Sequence, residues 1–134
     1  FVDTGAWIAL ESRRDERHET AVPTMRRLTG AGRTLVTTDH VIAETYTYLR
    51  GHLGSAAALG FLSAIRASPM TRRVHITAEW EIAAEELLAQ YADQEFSYVD
   101  ATSFVAMRRL RVREAFAFDH HFVLAGFTLF GEGS

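Results

Sequence analysis

Four carboxylates occupy positions where they could do chemistry: Asp3, Glu44, Asp100 and Asp119. Asp3 directly follows the apolar pair Phe1-Val2, and Asp119 directly follows the wholly apolar run Ala115-Phe116-Ala117-Phe118. An acid that closes a buried strand stands at the carboxyl rim of a sheet, where open parallel α/β sheets bind their ligands. Asp100 opens an expected helix, so its side chain points back toward the same rim. Glu44 lies about one and a half turns into the helix that follows the second strand. Carboxylates brought together from such distant positions repel and raise one another's pKa. A hard divalent cation relieves that repulsion: Mg²⁺ or Mn²⁺ takes oxygen ligands and binds through a few carboxylates plus substrate phosphate. One or two such ions activate water and stabilise the leaving oxygen in phosphodiester hydrolysis.

Each acid also has a plainer reading. A carboxylate in the first turn complements the helix dipole, although Asp100 shares its stripe with Phe104 and Met107. Asp119 fits a helix N-cap, and Glu44 borders the apolar arc of its helix, where an arginine is an alternative partner. Asp3 has the fewest alternatives. Asp39 occupies a better N-cap position and is read as a cap.

The elements that must position these acids alternate between strand and helix. A strand ends at Val2, and residues 6–11 form a short helix. A longer helix covers 14–28 and is stopped by Gly30 and Gly32. The β-branched stretch 34–38 predicts a strand, followed by a helix through Val41, Ile42, Thr45, Tyr48 and Leu49 that Gly51 and Gly54 end. Helical spacing over 55–67, with Leu59, Leu62 and Ile65, stops at Ser68-Pro69. Residues 74–77 predict a third strand. The stretch 78–91 predicts an amphipathic helix with Ile82, Leu87 and Leu88 inward and its glutamates mostly outward. A helix over 100–110 is preceded by Ser97 in a capping-box arrangement. The apolar run 115–118 suits a buried parallel strand, and 127–130 adds a last one. This order predicts an α/β fold, a parallel sheet flanked by helices on both faces.

Composition bounds the rest. The chain has 134 residues, 48% of them hydrophobic, enough for one domain spanning 1–134 with a core of its own. Cysteine is absent, which excludes disulfides and thiolate metal sites and suits a reducing cytoplasm. No apolar stretch approaches the roughly 20 residues that cross a bilayer, and no leader is visible in a chain that opens at Phe1 inside an expected strand. The formal net charge of −3 is not the basic footprint of a DNA-binding module. Two divalent ions at the carboxylates would more than offset it and leave positive charge at the cleft. Every Lys/Arg position is arginine, which suits phosphate recognition and equally fits a GC-rich genome.

Four segments, in order, carry a family resemblance: Phe1-Val2-Asp3-Thr4; Thr37-Thr38 through Ala43-Glu44-Thr45; Ser97-Tyr98-Val99-Asp100-Ala101; and Ala117-Phe118-Asp119-His120-His121-Phe122. Together they resemble the signatures of PIN-domain proteins, and most of all the VapC-type toxins of bacterial toxin–antitoxin pairs. The resemblance implies a PIN-like (Rossmann-like) fold and a Mg²⁺- or Mn²⁺-dependent endoribonuclease acting on structured RNA such as tRNA or rRNA. It also implies a homodimer and neutralisation by a cognate antitoxin. Carried over residue by residue, Asp3, Glu44, Asp100 and Asp119 are both the catalytic and the metal-site acids, and Thr4 is a supporting hydroxyl. Gly5 stands where family members commonly have serine.

Other readings fare less well. Asp3-Thr4-Gly5 resembles the aspartic-protease triplet, but that fold is all-β. A response-regulator receiver needs a lysine, which is absent. His120 and His121 suit surface or RNA-contacting roles better than a transition-metal site. Arg108, Arg109, Arg111 and Arg113 form a solvated face, an RNA contact or an antitoxin dock. Trp7, Tyr46 and Tyr48 either stack bases or pack. The chief competitor is a PIN-like RNA-binding or regulatory module with little or no catalysis.

Overall fold

A computed structural model describes residues 1–130. Its elements run α1 (Thr4–Glu11), α2 (His18–Gly30), β1 (Leu35–Thr38), α3 (Asp39–His52), α4 (Ser55–Ala67), β2 (Thr71–Val74), α5 (Ala78–Gln90), α6 (Tyr98–Leu110), β3 (Glu114–Ala115), α7 (His121–Leu124) and β4 (Thr128–Leu129). β1 pairs in parallel with β2, setting Leu35 opposite Thr71 and Thr38 opposite Val74. β3 pairs in parallel with β4.

The first three residues join these two ladders. The Val2 amide donates to Val36 O at 2.8 Å, and the Asp3 amide donates to Phe116 O at 3.0 Å. Val2 and Phe116 pair in parallel. The spatial order is therefore β2, β1, residues 1–3, β3, β4. Central position on both sides explains why Val2, Val36, Phe116 and Ala117 are all buried.

Helix α6 is the hub of the core. Its residues from Asp100 to Met107 are buried without a break, which is why its sequence is apolar or small nearly all round. Phe104 packs edge-on against Phe96 and Phe122, with ring centroids 5.1 and 5.0 Å apart. A fully buried phenylalanine contributes about 1.5–3 kcal/mol of transfer free energy. The helix ends on Arg111, whose φ of 57° and ψ of 37° place it in the left-handed region. Glycine usually fills this position, and an L-residue there costs roughly 1–2 kcal/mol.

Several expected boundaries move, each for a local reason. The third strand lies at Thr71–Val74 rather than 74–77. Edge strands accept charge, so Arg72 and Arg73 enter the ladder, while the Ile76 amide leaves it to bond Asp39 Oδ1 at 3.0 Å. Helix α2 starts at His18, not 14, because Asp15 Oδ1 accepts from the Arg17 amide at 2.8 Å in a tight turn. Thr38, not Asp39, caps α3: its side chain accepts from the Val41 amide. Ile82 is 60% exposed and Leu59 55%, whereas Ala84 and Leu87 of α5 and Ala58, Phe61 and Ile65 of α4 form the inward stripes. Trp7 is a core residue, edge-on to Phe61 at 5.7 Å and within 3.3 Å of Thr37 Oγ1 through its Nε1.

Candidate active site

The parallel sheet puts the carboxyl ends of its strands on one rim, and two acids are delivered there by the main chain itself. Asp3 follows Val2, and Asp119 follows the segment that pairs with it. Asp3 is 6% exposed. Its carboxyl is pushed up to about 7, first by burial and then by the negative charges of Asp100, Glu44 and Asp119; a hydrogen bond from the Thr4 backbone pulls the other way. The four acids singled out in the sequence therefore lie near enough for the other three to act electrostatically on Asp3. Because Thr4 opens α1, the aspartic-protease reading of Asp3-Thr4-Gly5 fails.

Asp100 is held by the capping box expected from Ser97. The Asp100 amide donates to Ser97 Oγ at 3.0 Å, and the Ser97 amide donates to Asp100 Oδ2 at 3.0 Å. The same carboxylate thus secures a helix start and faces the rim. Asp119 Oδ1 accepts from the His121 amide at 2.9 Å, which fixes the turn into α7. Glu44 is exposed on α3, and among the described residues it has no hydrogen bond or ion pair. The alternative arginine partner is not found.

His121 is the residue that sequence reasoning placed elsewhere. Its Nδ1 lies 3.1 Å from Asp100 Oδ2 and 3.2 Å from Asp119 Oδ1. Its ring stands edge-on to Phe96 at 5.2 Å. Asp100, Asp119 and His121 each offer a ligand atom within 4.8 Å of the others. His120, by contrast, is exposed. The usable signal was the spacing Asp119-His120-His121 at the start of a helix, which turns the second histidine back over the acid.

The donor set suits a hard cation. It consists mainly of carboxylate oxygens, and the neighbouring Thr4 Oγ1 is buried without a hydrogen-bond partner among the described residues. Buried hydroxyls are ordinarily satisfied, so this oxygen has capacity to spare beside the most strongly perturbed acid. Asp39 stays apart, accepting from the His40 and Ile76 amides, each at 3.0 Å.

The PIN domain family model matches residues 1–127. The chain belongs to the PIN-domain family. The 23S rRNA-specific endonuclease VapC20 of Mycobacterium tuberculosis, in strains CDC 1551/Oshkosh and ATCC 25618/H37Rv, is 43% identical over 129 residues, 96% of this chain and 95% of the relative. The crystal structure of M. tuberculosis VapC20, described as a sarcin-ricin loop cleaving toxin, superposes with a TM-score of 0.85 at 41% identity, covering 96% of this chain and 95% of that one. The α/β PIN fold and the VapC-type endoribonuclease toxin expected from the sequence are thereby borne out. As a PIN domain it falls among metal-dependent nucleases. Among the described residues no helix is long and apolar enough to cross a membrane.

Proposed function

We propose that Asp3, Glu44, Asp100 and Asp119 hold Mg²⁺ or Mn²⁺ and that the protein cleaves structured ribosomal RNA at a defined phosphodiester. The observation that carries the metal site is the Asp3 carboxyl, buried at a strand end and raised to about 7 with three further acids acting on it. Metal-free, such a cluster only costs free energy. A bound divalent ion would supply charge neutralisation and an activated water.

The chain's own residues prepare that chemistry. Asp3 and Asp119 are fixed by the backbone that leads out of the central strands, so their spacing is set by the sheet. Asp100 is oriented by Ser97, and His121 holds Asp100 and Asp119 together from the outside. Glu44, from α3, remains free to move toward metal or substrate. The choice of ribosomal RNA rests on likeness to a 23S rRNA endonuclease at 43% identity. By the same family reasoning the toxin is cytoplasmic, forms a homodimer, and is neutralised by a cognate antitoxin that reaches the site. The single domain extends over 1–134, its last four residues lying outside the described ones.

The test is cleavage of total bacterial RNA by the purified protein with Mg²⁺ or Mn²⁺, with EDTA, and with Asp100→Asn. Discrete fragments that vanish with chelator and variant support the reading, and end-mapping identifies the target. Cleavage that persists in Asp100→Asn would sink the quartet.

A further inference from the structure

At the end of α6 remote from Asp100 lies an open groove of about 640 Å³, bordered by Arg108, Arg111, Arg113, Gly126 and Thr128. Arg108 reaches across it, donating from Nη2 to Ala125 O at 3.3 Å. Among the described residues Arg111 and Arg113 have no side-chain partner, and no carboxylate lines the groove. Their neighbour Arg109 is different, since it pairs with Glu79 at 3.5 Å. In a chain with a formal net charge of −3, three arginines border this acid-free concavity, and Arg111 and Arg113 also border a neighbouring cavity where Glu114 is already paired with Arg33. Arg111 also occupies the left-handed position where glycine is the easier residue. An outlier of this kind points to use.

We propose that this groove binds the phosphate backbone of the RNA substrate at a second contact, away from the cleavage site. The proposal rests on the RNA-cleaving function above and deepens it. Arginine forks match phosphate oxygens bidentately. Arginine also anchors protein interfaces, but there it accompanies buried aromatic anchors that this groove does not offer. Here Met107 is fully buried and Val112 and Phe127 are only partly accessible. Arg111 follows Asp100 by eleven residues, about 16 Å along a helix. The contact therefore selects RNA long or folded enough to reach both ends of α6, and it contributes affinity without base specificity.

The experiment is fluorescence anisotropy of a labelled RNA stem-loop, in EDTA so that nothing is cleaved, over a series of salt concentrations. The Arg111→Ser/Arg113→Ser double variant is expected to bind roughly tenfold more weakly at low salt, with a log–log salt slope shallower by about 1.5. Arg111→Gly controls for folding: its thermal midpoint is expected to rise while its RNA affinity falls several-fold. Wild-type affinity and salt slope in both variants overturn the groove, even if the protein cleaves RNA. Conversely, wild-type RNA binding that falls in the variants, without metal-dependent cleavage, counts against the proposed function and leaves the groove standing.

Discussion

Nδ1 of His121 stands 3.1 Å from Oδ2 of Asp100, although 21 positions separate them in the chain. One residue opens the buried helix α6 and the other begins the short helix α7, so their meeting joins two otherwise independent helix starts at the rim of the sheet. The same nitrogen lies 3.2 Å from Asp119. A side chain that bridges two acids sets their separation before any ion arrives.

That bridge predicts a metal-affinity effect larger than its stability effect. His121→Ala is expected to weaken Mn²⁺ binding by roughly 10- to 100-fold, as loss of an outer-shell partner typically does. His121→Asn, which keeps a donor at short range, recovers part of it. Calorimetric titration with Mn²⁺ checks this, and unchanged affinity in His121→Ala would refute the bridging role.

Removing the charge at the rim separates activity from folding. Asp3→Asn and Asp100→Asn are each expected to abolish RNA cleavage while circular dichroism remains that of the wild type, because each change conserves volume. Asp3→Asn should also raise the stability of the metal-free protein above pH 7, since it deletes a buried charge. A metal-free variant less stable than wild type at pH 8 would contradict that account.

The pH dependence of the metal-free protein follows from Asp3. Its folded-state pKa of about 7 lies above the ordinary value of 3.8. A group raised on folding stabilises the native state fully below its unfolded pKa and loses that contribution as pH rises through the folded one. Stability in EDTA is therefore expected to decline between about pH 4 and pH 7, by up to roughly 4 kcal/mol for this group alone. Divalent metal should restore it at the alkaline end. Urea melts with and without Mg²⁺ test both signs, and a metal-free protein more stable at pH 8 than at pH 5 on Asp3's account would be inconsistent.

Ser97→Ala removes the hydroxyl that accepts from the Asp100 amide but keeps the residue-97 amide that donates to Asp100 Oδ2. Loss of an N-cap costs about 1 kcal/mol, and it is the Asp100 amide that is left without its acceptor. Cleavage is expected to fall further than the modest drop in thermal midpoint, because a loosened first turn of α6 leaves the Asp100 carboxylate held by the residue-97 amide alone on this side. Ser97→Thr should restore both, and a kcat equal to wild type in Ser97→Ala would show that the box serves stability alone.

Much of this was legible in the residues themselves. Apolar-run-then-acid at Val2-Asp3 and Phe118-Asp119 is a local pattern that parallel topology converts into neighbours. The second strand, though, is Glu114–Ala115 with a bridge at Phe116, so Asp119 follows its pairing by three residues rather than closing it. Ser97 and Asp100 announce their own capping box, because helix starts are governed by residues within one turn. The order of strands and helices predicted an α/β fold with a parallel sheet for the same reason, and the family resemblance implied that it is PIN-like. What failed were choices that local pattern leaves open. Residues 74–77 are the more β-branched stretch, but pairing with β1 takes Arg72 and Arg73 into the strand, while the Ile76 amide donates to Asp39 instead of to a ladder. Ile82 and Leu59 fit helical stripes, yet their neighbours decided which stripe faced inward.

The sequence by itself determined the chemistry: oxygen-rich acids at strand ends, no thiol to compete, and a family signature spread along the chain. Only the tertiary structure decided that His121 belongs among them and that Arg111 and Arg113 face a groove without acids. Side-chain neighbours across 21 residues, or around an acid-free concavity, depend on how α6, α7 and the sheet pack. No local periodicity carries that information.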